Sequence, residues 1–200
     1  AEHPGVPLYV LGESMGAAVV AVTMTDPDPP AVDGIVLSAP AVWGGPALNP
    51  FYRATLWVMR KVAPSMTFTG RGLGKQASDN IPMLRALGAD PLFIKKTRVD
   101  AIGGVVDLMG EALERGPRLR ARRLVLVGQR DEIVPPEAQE TFVASLPQGD
   151  CTLVSYPEGW HLLLRDLQRQ RVWEDILAWI AGETPPSGLA VACPATGLQS

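Results

Sequence analysis

The stretch Gly12-Glu13-Ser14-Met15-Gly16 stands at a seam between two apolar runs, Leu8-Tyr9-Val10-Leu11 before it and Ala17-Ala18-Val19-Val20-Ala21-Val22 after it. The first run is short and follows Pro7, as expected of a strand buried on both faces of a parallel sheet. The second is helical by its length, although its valines lower the intrinsic propensity. A serine between two glycines at such a junction is either a helix N-cap or a nucleophile lifted from the sheet on a sharp strand-to-helix elbow. With 20 glycines and 8 serines in 200 residues, a G-x-S-x-G pattern arises by composition with a chance of roughly 0.08. The setting therefore has to carry the reading. On an elbow, the glycines let neighbouring backbone pass without a Cβ clash. The helix N-terminus then offers free N–H groups and a positive dipole end to a developing anion.

The alternation continues along the chain. Residues 34–39, 123–128 and 152–156 read as further strands. Residues 105–115, 137–146 and 168–181 read as helices, the last with a stripe of Val172, Trp173, Ile176, Leu177 and Ile180. Strands alternating with helices predict an α/β fold with a mostly parallel sheet. Residues 41–104 lose this rhythm. A helix over 51–63, a glycine-rich bend at 70–74 and helical pieces over 83–87 and 91–97 suggest a strandless helical cap. The expected organisation is a core over 1–40, the cap over 41–104, more core over 105–182 and a loose tail over 183–200.

Composition narrows the function. The chain is 46% hydrophobic and 20% charged with a net charge of −3, which suits one globular domain and supplies no basic stripe for nucleic acid. No apolar stretch approaches the ~20 residues of a membrane helix. Cys151 and Cys193 fit no metal or redox spacing and read as two separate thiols, one opening a strand and one in the tail. The chain opens with Ala1 and enters a strand by about Leu8. This predicts a longer native protein, by roughly 80–130 residues for a domain of ordinary size. The compartment is left open, with the cytoplasm as the default.

A serine needs a base, and the base needs an orienting acid. The chain has two histidines. His3 precedes the first strand. His161 follows the fourth, at a strand's carboxyl end, where open α/β sheets bind ligands. The acid is sought just past the third strand, where Asp131 and Glu132 stand side by side; Asp150 and Glu158 are less suitably placed. Ser14, an acid at 131 or 132, and His161 then follow the chain order Ser, Asp/Glu, His of α/β-hydrolases.

The stretches PLYVLGESMGAAVV, GIVLSAP, ADPLFIKK, LVLVGQRDEIVPPEA and YPEGWHLLLRD run along most of residues 6–181. Together they resemble the monoacylglycerol lipase and lysophospholipase group of α/β-hydrolases, also grouped with serine aminopeptidase-like hydrolases. The resemblance implies an eight-stranded sheet, a helical cap over the site and hydrolysis of lipid-like carboxylic esters without metal or organic cofactor. It implies Ser14 as nucleophile, Asp131 rather than Glu132 as acid and His161 as base, with the Met15 backbone N–H in the oxyanion hole and Arg165-Asp166 supporting the histidine loop. Ala17 stands where the group often has a second glycine. The group's first four strands and its HG-type loop, which gives the second oxyanion donor, have no counterpart in the sequence. Trp43, Phe51 and Trp57 are expected to line an acyl channel, and the cap to touch a membrane surface transiently. Thioesterase or peptidase action on the same triad stays open, as does a non-catalytic binding module. A dehalogenase is disfavoured, because it would carry a carboxylate at position 14.

Overall fold

The structure is a computed structural model that describes residues 3, 5–70 and 74–194. Four parallel strands form its centre: β1 (Tyr9–Glu13), β2 (Gly34–Ser38), β5 (Arg123–Gly128) and β6 (Cys151–Tyr156). A short strand, β7 (Ala190–Ala192), adds antiparallel to β6, so the sheet order is β1-β2-β5-β6-β7. Between β1 and β2 lies α1 (Met15–Thr23). Between β2 and β5 lie α2 (Pro50–Val62), β3 (Thr67–Phe68), α3 (Ile81–Ala89), β4 (Thr97–Arg98) and α4 (Val99–Arg115). Helix α5 (Pro136–Ser145) joins β5 to β6, and α6 (Arg169–Ile180) follows β6.

The apolar runs of the central strands explain the layers. Side chains alternate across the pleat, so one run feeds two cores. Ile35 and Leu37 of β2 face α1, α4 and α5, packing with Ala17, Ala21, Phe142 and Leu146. Val36, between them, joins Leu124, Leu126 and Val154 on the opposite face, under Val172, Ile176 and Trp179 of α6. Strand β1 departs from the expectation of burial on both faces. It is the outer strand of the sheet among the described residues, and Leu11 remains 46% exposed.

Several expectations are corrected. The segment over 41–104 is not strandless, because β3 and β4 pair antiparallel within it, and α4 begins at Val99 rather than 105. Residues 91–97 form no helix: a turn follows Asp90, whose carboxylate accepts from the Leu92 N–H (2.8 Å), before β4 starts. Helix α6 buries Val172 and Ile176 but turns Trp173 and Leu177 outward, with Asp175 buried in their stead. Asp175 accepts from the Tyr156 hydroxyl (2.8 Å) and the Ser187 N–H (2.9 Å), which satisfies its carboxylate inside the core. The tail is not loose through residue 194, since β7 lies within it. Nor are the cysteines separate thiols. Pairing of β7 with β6 brings Cys193 beside Cys151, and the two form a disulfide with Cα atoms 5.4 Å apart. Of the bend at 70–74, residues 71–73 lie outside the described residues.

Candidate active site

Parallel register aligns the carboxyl ends of the strands: Glu13 lies beside Ser38, and Gly128 beside Tyr156. Ser14 follows β1 directly, Asp131 lies three residues past β5, and His161 lies five residues past β6. All three therefore sit on one rim of the sheet.

The elbow is held by the backbone. Ser14 has φ of 56°, a left-handed value uncommon for a residue with a Cβ. Its N–H donates to the Ser38 carbonyl (2.9 Å), and its own carbonyl accepts from Ala17 N–H (3.0 Å) and Ala41 N–H (3.1 Å). Gly12 is required here, because a Cβ would stand 2.4 Å from the Gly16 carbonyl oxygen. Gly16 itself has open space where a Cβ would go, so the second glycine of the motif is not demanded by any described neighbour. The Ser14 side chain makes no capping bond to α1, which removes the N-cap reading. Its Oγ lies 2.8 Å from His161 Nε2 instead.

On the other side of the ring, His161 Nδ1 lies 2.8 Å from Asp131 Oδ2. An ionised carboxylate only accepts, so the proton resides on Nδ1 and leaves Nε2 free to accept from the serine hydroxyl. Asp131 is fixed at every lone pair in use. Oδ1 accepts from Ile133 N–H (2.8 Å) and Val134 N–H (3.0 Å), and Oδ2 also accepts from Gln139 Nε2 (2.8 Å). Burial pushes the Asp131 carboxyl upward, but the His161 interaction and the two backbone N–H groups outweigh it. The net result is a carboxyl below its ordinary range. Asp131 and His161 are both buried, at 6% and 4% exposure, while Ser14 is half-buried and so open to an incoming group.

The acid and base loops pack against each other. A Cβ on Gly128 would stand 2.5 Å from the carbonyl oxygens of Gly159 and Trp160. Arg130 N–H donates to Gly159 O (2.8 Å), and the Arg130 and Glu158 side chains form an ion pair at the surface. Met15 opens α1, so its N–H has no acceptor within the helix and stands next to Ser14. Among the described residues, no group of three or more His, Cys, Asp or Glu side chains is arranged to hold a metal ion.

The remaining expectations divide. Glu132 is exposed and accepts from Gln76 N–H (2.8 Å), while the bond to His161 is made by Asp131. His3 is exposed before β1. Asp166 does support the histidine loop, accepting from Trp160 N–H (2.8 Å), and it also accepts from Ser78 Oγ (2.6 Å). Trp57 lines a groove between α2 and α4 of about 770 Å³, and Trp43 a separate cavity of about 270 Å³ beside α5. Neither cavity is lined by Ser14 or His161, and Phe51 is 73% exposed. Gln139 and Ser78 escaped the sequence reading. Gln139 follows the acid by eight positions on the first turn of a helix, a spacing that carries a weak signal. Ser78 lies in a segment with no periodicity at all.

A sheet with parallel strands, helices on both faces, a serine on a strained elbow and an insertion between β2 and β5 defines an α/β-hydrolase. The family described as serine aminopeptidase, S33 (Hydrolase_4) matches residues 1–168, and the chain belongs to that family. It is 28% identical over 181 residues to the monoacylglycerol lipase of Mycolicibacterium smegmatis, covering 90% of this chain and 64% of that protein. It is likewise 28% identical over 201 residues to the mouse monoglyceride lipase, covering 96% of this chain and 64% of the mouse protein. The chain thus spans just under two thirds of the length of each of these relatives. Among solved structures, the monoacylglycerol lipase of Paleococcus ferrophilus superposes with a TM-score of 0.75 at 26% identity, covering 90% of this chain and 70% of that one.

Proposed function

We propose that the protein is a serine hydrolase that cleaves carboxylic esters of monoacylglycerol or lysophospholipid type through an acyl-enzyme. The unbroken line of hydrogen bonds from Ser14 through His161 to Asp131, 2.8 Å at each step, is the observation that carries this reading. Ser14 Oγ attacks the ester carbonyl carbon as Nε2 of His161 takes its proton. Asp131 keeps the ring in the reactive tautomer and stabilises the imidazolium that forms. The tetrahedral oxyanion is stabilised by the Met15 N–H and the positive end of α1. Collapse breaks the ester C–O bond, with the imidazolium proton passing to the leaving alcohol. Water, losing a proton to His161, then attacks the acyl carbon; collapse breaks the bond between that carbon and Ser14 Oγ, the imidazolium proton passes to Ser14 Oγ, and the carboxylic acid leaves.

The names of the relatives support a glycerol ester as substrate, and the family's description supports amide cleavage as a second reading. Exposed Phe51 and Trp57 on α2, with Leu92, Phe93 and Ile94 beyond α3, are the apolar side chains through which the protein would meet lipid. The organisation proposed is a hydrolase core of 1–40 and 105–182, with 41–104 as cap.

The test is a panel of p-nitrophenyl esters, monoacylglycerols, acyl thioesters and aminoacyl anilides on the complete gene product, with fluorophosphonate labelling. Ester turnover and labelling are both expected, and Ser14→Ala should abolish labelling and cut kcat by about 10⁶. Full ester turnover in that variant would overturn the proposal. A strong preference for the anilides would replace it with the peptidase reading.

A further inference from the structure

Residues 76–80 lie between β3 and α3, outside the elbow and both catalytic loops, yet they bond to both loops. On the acid side, Gln76 N–H donates to Glu132 Oε2 (2.8 Å), next to Asp131. On the base side, the Ala77 carbonyl accepts from Leu162 N–H (2.9 Å), the residue after His161. Ser78 Oγ donates to Asp166 Oδ1 at 2.6 Å, and both side chains are fully buried. Asp79 Oδ1 accepts from Leu167 N–H (2.9 Å), and Asn80 Nδ2 donates to the Arg165 carbonyl (2.9 Å). Asp166 passes the contact on, because its second oxygen takes the Trp160 N–H (2.8 Å), the residue before His161. The imidazole is thus gripped through its neighbours on both sides by one short segment.

The segment is also anchored to the insertion. The Asn80 side chain caps α3 by accepting from Met83 N–H (3.2 Å), and Asn80 N–H donates to Ser78 Oγ (3.1 Å). Burial lifts the Asp166 carboxyl, and the Ser78 hydroxyl and Trp160 N–H oppose that lift. An unpaired carboxylate at this depth is costly, so the Ser78 bond is expected to persist.

We propose that residues 76–80 act as a strap, with Ser78 and Asp166 as positioning residues that hold His161 in line with Ser14 and Asp131. The strap connects the insertion between β2 and β5 to the reactive imidazole, so a displacement of α3 is felt at His161. This rests on the triad reading proposed above.

The test uses the complete gene product and a short soluble p-nitrophenyl ester, with rates normalised to fluorophosphonate-labelled sites. Ser78→Ala is expected to lower kcat by about 10- to 100-fold, the scale of a misplacement near 1 Å, with KM within about twofold. Asp166→Asn should fall comparably, and the double variant should be no worse than the poorer single one, because both break one connection. Unchanged kcat in Ser78→Ala alongside an inactive Ser14→Ala overturns the strap and leaves the triad standing. Activity retained in Ser14→Ala overturns the triad and the strap with it. Where Ser78→Ala does not fold, Asp79→Ala, at a half-buried position, is read in the same assay. A fall in kcat of about threefold or more at constant KM supports the strap, and an unchanged kcat overturns it.

Discussion

Glu13 occupies an awkward position. It ends β1 immediately before the serine, half-buried, and its Oε1 has no hydrogen-bond partner among the described residues. Burial raises its carboxyl, against the lowering effects of the Leu164 N–H and the nearby His161 and Arg165. A carboxyl raised in the folded state makes a charge penalty that is absent below its unfolded value, about 4.3, and grows as pH rises through the folded value. Glu13→Gln keeps the shape and the acceptor for Leu164 while removing the charge. Its melting temperature is expected to exceed the parent's by a few degrees at pH 7 and to equal it near pH 4. Thermal melts at both values check this, and an equal gain at both would place the cause elsewhere. Asp131 has the opposite sign. Its depressed carboxyl adds stability that is present at neutral pH and lost as acid titrates it below the ordinary Asp value. At this scale the meeting of Ser14 and His161 was legible, because strand ends and chain order constrain both residues. Asp131 and Glu132 were separable only by resemblance. Their difference lies in how the chain turns after β5, which delivers Ile133 and Val134 N–H groups to one carboxylate and leaves the other outside. Gln139 reaches Asp131 across 8 residues, which leaves only a weak signal, and Ser78 reaches Asp166 across 88, which leaves no local trace.

Helices and strands were legible where their periodicity is strong, and less so where a tertiary contact decides. Helix α4 shows the second case. Its glycines Gly103, Gly104 and Gly110 weaken it on paper, yet it runs 17 residues. Gly110 is there because the helix touches the chain after β2: a Cβ would stand 2.7 Å from Gly45 N. Gly104 is exposed, and a Cβ there meets nothing within 4 Å. Gly104→Ala is therefore expected to stabilise by about 1 kcal/mol through helix propensity alone, and Gly110→Ala to destabilise by about 1–3 kcal/mol through overpacking. Urea unfolding of the two variants checks the pair, and equal signs would refute the contact argument. Strand β7 was illegible because three residues of Ala and Val in a Pro- and Gly-rich tail carry no pattern. Its disulfide closes a separation of 42 residues, worth about 4 kcal/mol in the chain-entropy view. Cys193→Ser should lower the melting temperature by about 8–16 °C, while kcat at 25 °C stays unchanged, since neither cysteine touches the site. A shared loss of kcat would show that the tail reaches the catalytic rim.

At the scale of the molecule, charge is unevenly spread. The chain as a whole carries −3, yet residues 41–104 hold nine Lys and Arg against three Asp and Glu. The same segment carries about half of the exposed large apolar side chains among the described residues. Helix α2 buries none of its residues, with Tyr52, Trp57 and Val62 all more than 60% exposed, and Leu92 and Ile94 lie at 88% and 75%. Lys61 stands in the last turn of α2 beside Arg60, which is already paired with Asp107 (2.7 Å), and Lys95 and Lys96 follow Ile94 directly. An apolar surface interleaved with cations, on a protein of net negative charge, suits an anionic lipid surface better than a neutral one. Apolar side chains would enter the interface while the lysines and arginines meet headgroups. No helix among the described residues is long and apolar enough to cross a membrane, so the contact expected is peripheral. Each cation near an anionic surface contributes about 1 kcal/mol, falling off within a Debye length of about 8 Å at physiological salt. Co-flotation with vesicles of phosphatidylcholine plus 30% phosphatidylserine (roughly the anionic fraction that sets such a surface potential) should exceed flotation with phosphatidylcholine alone, and should weaken as salt rises. Replacing Lys95 and Lys96 by Glu should reduce flotation with the anionic vesicles and leave turnover of a short soluble ester unchanged. Equal flotation with both vesicle types, insensitive to salt, would assign the contact to the apolar side chains alone and leave the basic residues without a role in it.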